Sequence, residues 1–194
     1  MGFLEPIATV LGVAHLFLLI RQSLWAFPAG IAMVSLYGVI FLDARLYGQV
    51  GLQAVFCALL IYGWWYWLSH RSQAEADEKA PVRTLSARAF GLWLLAGTAG
   101  LAALGAVMAR YTDGVLPFVD AGIACFSLVA QVLLARKYLQ NWLVWIGVDV
   151  VAIGLYFSQG LYLTSGLYGL FLAMCVWGYV EWRRDISAAA PAAP

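Results

Sequence analysis

LYGQVGLQAVFCALLIYGWWYW, from Leu46 to Trp67, aligns without a gap on LYLTSGLYGLFLAMCVWGYVEW, from Leu161 to Trp182. The offset is 115 residues, and 8 of the 22 positions are identical: Leu46/Leu161, Tyr47/Tyr162, Gly51/Gly166, Leu52/Leu167, Phe56/Phe171, Ala58/Ala173, Gly63/Gly178 and Trp67/Trp182. Apolar helices share Leu and Ala through composition alone. Shared Gly, Tyr and Trp at fixed positions point instead to a true internal repeat.

Outward from this pair, the chain divides into apolar runs. A run of about 20 mostly apolar residues can cross a bilayer as a helix. Seven candidates stand at roughly 4–20, 24–42, 47–68, 89–108, 116–135, 142–158 and 161–181. The first is the weakest, being short and holding His15. Seven runs in which the third repeats as the seventh give an all-α integral membrane protein in a 3+1+3 arrangement. Its expected parts are a three-helix bundle at 1–68, a cytoplasmic loop at 69–88, a linking helix at 89–108, a second bundle at 109–186 and a disordered tail at 187–194. The loop is polar, charged and broken by Pro81; the tail is small and Pro-containing. One linking helix leaves the two bundles in the same orientation, related by an axis along the membrane normal. Parallel repeats of this kind are a transporter arrangement, with the substrate site between the halves.

Composition agrees. Apolar residues make up 64% of the 194 and charged residues 11%, against about 25% charged in soluble domains. A net charge of +1 offers no footprint for nucleic acid. Cys57, Cys125 and Cys175 lie inside apolar runs and read as small hydrophobes, not a disulfide frame. His15 and His70 have no clustered partners for a metal, and nothing calls for a cofactor. The first apolar run lacks a basic leader and a small-residue cleavage site, so it reads as a retained helix. The basic residues segregate. Arg45 and Arg110 fall on one side of a seven-span chain, and Arg21, Arg71, Lys79, Arg83, Arg88, Arg136, Lys137, Arg183 and Arg184 on the other. The second side is expected to be cytoplasmic, with the N-terminus outside.

Polar residues inside spans are costly and mark function or interhelical bonding. Asn141, Trp145 and Asp149 share one face of the sixth helix, at spacings of four. Asp120, Ser127 and Gln131 share a face of the fifth; Gln53, Cys57 and Trp64 share one of the third, with Gln49 beside them. The offset carries Gln53 onto Tyr168 and Trp64 onto Tyr179. For Gln49, Gln53 and Ser127, helix bonding and substrate contact both stand as readings. Asp120, one turn inside the boundary, equally reads as a cap at a helix N-terminus. Asp149 reads as a functional group or as a hydrogen-bonded latch. An interfacial belt accounts for Trp25, Trp93 and Trp182, while Trp64 and Trp145 lie a turn deeper on polar faces. His15 reads as a hydrogen-bonded interior side chain. A membrane-embedded enzyme would need a nucleophile or carboxylate cluster that the chain lacks. A scaffold would not need four polar stripes.

The second half also resembles a known family. Pro117, Phe118 and Asp120 open the fifth helix, followed by Ala130-Gln131, Ala135-Arg136-Lys137, Asn141-Trp142, Trp145, Asp149 and Gly160-Leu161-Tyr162-Leu163-Thr164. With Gly63-Trp64 and Trp67 in the first half, these resemble the PnuC family of nicotinamide riboside transporters. The resemblance implies seven helices in two three-helix bundles, similar to the SWEET proteins. It also implies uptake of a vitamin precursor by facilitated diffusion across the bacterial inner membrane, with trapping by a cytoplasmic kinase; relatives carry thiamine or riboflavin. On that reading Trp145 and Trp64 supply aromatic faces for a pyridinium ring, with Trp67 also in the site. Asn141, Gln53 and Gln131 supply hydrogen bonds, Asp149 faces the positive charge or holds its neighbours, and Asp120, Ser127 and Tyr168 complete the set. The expected partners are a small-molecule substrate and the bilayer, with a homo-oligomer compatible with both.

Overall fold

The computed structural model describes residues 4–43, 45, 47–71, 80–112 and 116–189. Among them are seven α-helices: α1 (Leu4–Ile20), α2 (Ala26–Asp43), α3 (Tyr47–Ser69), α4 (Ala87–Tyr111), α5 (Pro117–Ala135), α6 (Asn141–Ser158) and α7 (Tyr162–Ala189). Each falls on one of the expected spans. Six are long and apolar enough to cross a membrane, and α1 is the shorter apolar one. Leu46, where the aligned repeat begins, the middle of the 69–88 loop and residues 190–194 of the expected tail lie outside the described residues.

Local signals set the limits. Ser86 caps α4, its hydroxyl accepting from the Ala89 amide at 3.3 Å. Pro117 occupies the first turn of α5, where its missing N–H is no loss, and Asp120 follows in the same turn. At the other end the expectation needs correcting, because Ser187, Ala188 and Ala189 continue α7. Alanine is the best helix former, so a small-residue run adjoining a helix extends it.

The chain divides into two compact units, Met1–Pro81 with Ala135–Lys137, and Val82–Leu134 with Tyr138–Pro194. In the first, α2 packs between α1 and α3. Phe27 meets Trp67 edge-on, with centroids 5.0 Å apart at 87°. Gly63 makes the room: a Cβ there would lie 2.9 Å from the Phe27 ring and 3.2 Å from the Ala135 Cα. His15 is buried, as its reading required, with Nδ1 2.6 Å from the Ala26 carbonyl and its ring over Gly30. Lys137 is also buried; its ammonium donates to the Ala80 carbonyl and lies 4.5 Å from the Trp67 ring centroid.

In the second unit α6 packs on α7. Trp142 meets Trp182 edge-on, 5.3 Å apart at 87°, over Gly178, where a Cβ would come within 2.6 Å of the Trp142 ring. On α4, Gly97 and Gly105 receive the rings of Phe126 and Phe118 on α5. The rising numbers on one helix meet falling numbers on the other, so the two run antiparallel. Val129, Ala130 and Leu133 of α5 form a core with Val144 of α6. Trp93 and Trp145 both pack against that core. Of the three tryptophans expected in an interfacial belt, Trp25 is exposed and Trp93 half-buried, whereas Trp182 is fully buried in its lock with Trp142.

The offset of 115 governs far more than the 22 aligned residues. It carries the limits of α2 onto those of α6 and the start of α3 onto that of α7. The α1–α2 and α5–α6 turns close with matching backbone bonds: Ser23 to Leu18 and Tyr138 to Leu133 at 2.9 Å, Ala26 to Ser23 and Asn141 to Tyr138 at 3.1 Å, and Phe27 to Leu24 and Trp142 to Leu139 at 3.2 Å. Among the described residues, all four with positive φ pair at the same offset, Gln22 (55°) with Lys137 (58°) and Arg45 (57°) with Gly160 (74°). The repeating element is a whole three-helix unit.

Candidate functional site

One face of α6 carries the chemistry. Its first residue, Asn141, is 0% exposed, and the side-chain amide donates to the Tyr138 carbonyl at 2.7 Å. That bond turns the side chain back over the α5–α6 turn and leaves the carbonyl oxygen, Oδ1, buried without a partner. Trp145, one turn on, is half-buried against Val129, Ala130 and Leu133 of α5. Asp149, a further turn on, is 4% exposed. The Cys175 side chain of α7 hydrogen-bonds its carboxyl, while Oδ2 has no partner. The Trp142 indole N–H is likewise buried and unpaired. A buried polar atom without a partner loses about 1–3 kcal/mol. Three such atoms within nine residues of one helix need a reason, and a polar ligand supplies one.

The α6–α7 contact explains how Asp149 is held. Trp142, Asp149 and Tyr156 recur at spacings of seven and meet Trp182, Cys175 and Tyr168 of α7 in reverse order. Tyr156 and Tyr168 are 5.1 Å apart at a tilt of 38°. Asp149 is thus latched to α7 through one oxygen, with the other left over.

The remaining candidates fall into two groups. Ser127 and Gln131 are buried one turn apart on α5, alongside the core that seats Trp145. Asp120 is half-buried in the first turn of α5, where a carboxylate favours the helix dipole. Gln53 and Trp64 belong to the first unit and are half-buried on α3, Gln53 lying beside Gly38 of α2. Trp67 is fully buried in the lock with Phe27 and beneath Lys137, where it serves packing. Sequence reasoning missed two contributors. Cys175 was read as a small hydrophobe, and nothing in a lone cysteine between Met and Val signals its aspartate. Gln140 was not singled out, yet its side chain bonds the Leu85 backbone at 3.1 and 3.0 Å.

A groove of about 660 Å³ between α4, α5 and α6 is a different kind of space. Phe90, Leu94, Phe118, Phe126 and Val151 line it with other apolar residues. It offers a sugar hydroxyl no hydrogen bond.

Two repeated three-helix units of apolar spans, with polar groups buried on facing helices, define a multi-pass membrane transporter. The chain belongs to the nicotinamide mononucleotide transporter family, whose model matches residues 2–184. It is 28% identical to the nicotinamide riboside transporter PnuC of Escherichia coli over 206 residues, 94% of this chain and 85% of that one. It is 30% identical to the riboflavin/roseoflavin transporter RibM of Streptomyces davaonensis over 196 residues, 98% of this chain and 91% of that one. The crystal structure of the vitamin B3 transporter PnuC matches with a TM-score of 0.77 at 25% identity, covering 97% of this chain and 84% of that one.

Proposed function

We propose that this transporter carries nicotinamide riboside inward across the bacterial inner membrane, and that α6 supplies the main recognition face. The observation that carries the reading is Asp149, a buried carboxyl with one oxygen unpaired and no Lys or Arg in α5, α6 or the apolar length of α7. Nicotinamide riboside brings a positive charge on an aromatic ring. Trp145 offers a face for that ring, at about 0.5–2 kcal/mol for a cation–π contact. Asn141 Oδ1 and Gln131 suit the ribose hydroxyls, with Ser127 one turn from Gln131 on α5 and Tyr168 on α7 against Tyr156 of α6. Movement is by facilitated diffusion, because no acid–base pair suited to proton coupling stands in the site. Phosphorylation by a cytoplasmic kinase traps the substrate for NAD synthesis. The N-terminus lies outside, following the 2 to 9 split of basic residues; labelling from outside at a Cys placed at Ser72 would overturn that orientation.

The likeness to RibM favours riboflavin as the second reading. Riboflavin is uncharged and larger, and it leaves Asp149 without a counter-charge. Uptake into liposomes holding the purified protein decides between them. Labelled nicotinamide riboside should equilibrate without a gradient, and riboflavin or thiamine should compete weakly. Preferential uptake of riboflavin would move the reading to the second substrate. Uphill accumulation driven by a proton or sodium gradient would exclude facilitated diffusion.

A further inference from the structure

Residues 82–86 run extended from the end of the polar loop into the cap of α4 and lie along the α5–α6 turn. Leu139 N–H donates to the Arg83 carbonyl at 2.8 Å. The Gln140 side-chain amide grips Leu85 from both sides, accepting from its N–H at 3.1 Å and donating to its carbonyl at 3.0 Å. The Arg83 guanidinium lies 5.0 Å from the centre of the Tyr138 ring. Three consecutive turn residues are therefore held by one extended segment, and the next residue is Asn141.

The first unit is an internal control. Its turn at Ser23, Leu24 and Trp25 closes with the same backbone bonds at the same lengths. Trp25, which stands where Gln140 stands, is 74% exposed, and among the described residues no extended segment pairs with that turn. The turn does not need a strap in order to fold. What differs is the residue that follows, Ala26 in the first unit and Asn141 in the second. Asn141 is oriented by its bond to the carbonyl of Tyr138, inside the strapped turn.

We infer that the 82–86 segment is a positioning strap for the substrate site and that Gln140 is the positioning residue through which it acts. By fixing the Tyr138–Gln140 backbone it fixes the carbonyl that Asn141 Nδ2 bonds, and so the direction in which Asn141 Oδ1 meets the ligand. This rests on the site reading given under Proposed function.

The test is a double-mutant cycle on the full-length protein, with labelled nicotinamide riboside as probe and riboflavin in parallel. Gln140→Leu should weaken binding about three- to tenfold with thermal stability close to the parent. In an Asn141→Ala background the same substitution should cause no further loss. Leu85→Pro removes the strap's donor to Gln140 Oε1. It should act in the same direction and serves where Gln140→Leu does not fold. Parental affinity in both strap variants, or a full additional loss on top of Asn141→Ala, overturns the strap. If Asn141→Ala itself binds both vitamins like the parent, the site reading fails and the strap falls with it. A weak Asn141→Ala beside parental strap variants removes the strap alone.

Discussion

The two three-helix units share a backbone and differ in what fills it. Both lock their second and third helices with an edge-on aromatic pair over a glycine, Phe27–Trp67 over Gly63 and Trp142–Trp182 over Gly178. One turn deeper they diverge. The first unit puts a large side chain on its first helix and none on its second, His15 over Gly30. The second reverses this at the same offset, with Ala130 facing the core beside Trp145. Val34 and Leu60 of the first unit become Asp149 and Cys175 in the second, and Ala26 becomes Asn141. Packing positions are kept between the units, while polar chemistry collects on α6.

The most direct way to break the comparison is to give the second unit the first unit's filling. Asn141→Ala copies Ala26 and removes a buried hydrogen-bond partner at about 1–3 kcal/mol. Affinity for nicotinamide riboside should fall about 5- to 150-fold, read by calorimetry, with the fold intact. Asp149→Val copies Val34; it should abolish measurable binding of the cation yet leave the protein as stable as the parent or more so, because it replaces a buried carboxyl that has one oxygen without a partner. Retained binding in both variants would place the substrate elsewhere.

The locks sharpen the other half of the comparison. Gly63→Ala and Gly178→Ala each push a methyl into an aromatic ring, and overpacking of this sort destabilises by about 1–3 kcal/mol. Thermal unfolding in detergent should show similar losses for the two. A large loss in one alone would mean that the locks match in shape and not in weight.

How far the sequence carried these conclusions depends on the physics involved. The spans were legible because length and hydropathy alone decide what can cross a bilayer, and all seven helices lie where the apolar runs were. The repeat was legible at α3 and α7, where Gly63/Gly178 and Trp67/Trp182 are fixed by close packing. It was invisible at α1/α5 and α2/α6, because His15/Ala130 and Gly30/Trp145 exchange volume across a contact, and such exchange erases identity while keeping the packing. The α6 stripe could be read from spacings of four. The latch to Cys175 and the clamp from Gln140 could not, since both join residues far apart in the chain. Trp182 was misplaced for a related reason: a tryptophan near a helix end suits an interface and a core equally until its neighbours are known.

Trp93 now makes a prediction of its own. It and Trp145 rest on the same α5–α6 core, so Trp93→Ala should loosen the seat of Trp145. The expected loss of affinity is about three- to fivefold, from roughly 1 kcal/mol of half-buried apolar surface. Parental affinity for Trp93→Ala would show that Trp145 is held by α5 alone.

The smallest expected effect lies at the end of the second helix of each unit. Arg45 and Gly160 occupy the same place in the repeat, and both have positive φ, 57° and 74°. Their amides accept the same role, bonding Leu42 and Phe157 carbonyls at 3.1 Å. A left-handed backbone costs a residue with a Cβ about 1–2 kcal/mol and glycine almost nothing. Arg45 is exposed, so its substitution removes no buried contact. Against that gain stands the greater freedom of glycine in the unfolded chain, a loss of about 0.5–1 kcal/mol. Arg45→Gly should therefore stabilise the protein slightly, by about 0.5 kcal/mol. Gly160→Arg, which installs the first unit's residue in the second, should destabilise it by a similar or slightly larger amount. Opposite shifts in unfolding temperature would show that the two helix ends are one backbone solution filled in two ways. Shifts of the same sign would mean that neighbouring residues, and not φ, set the energy of these turns.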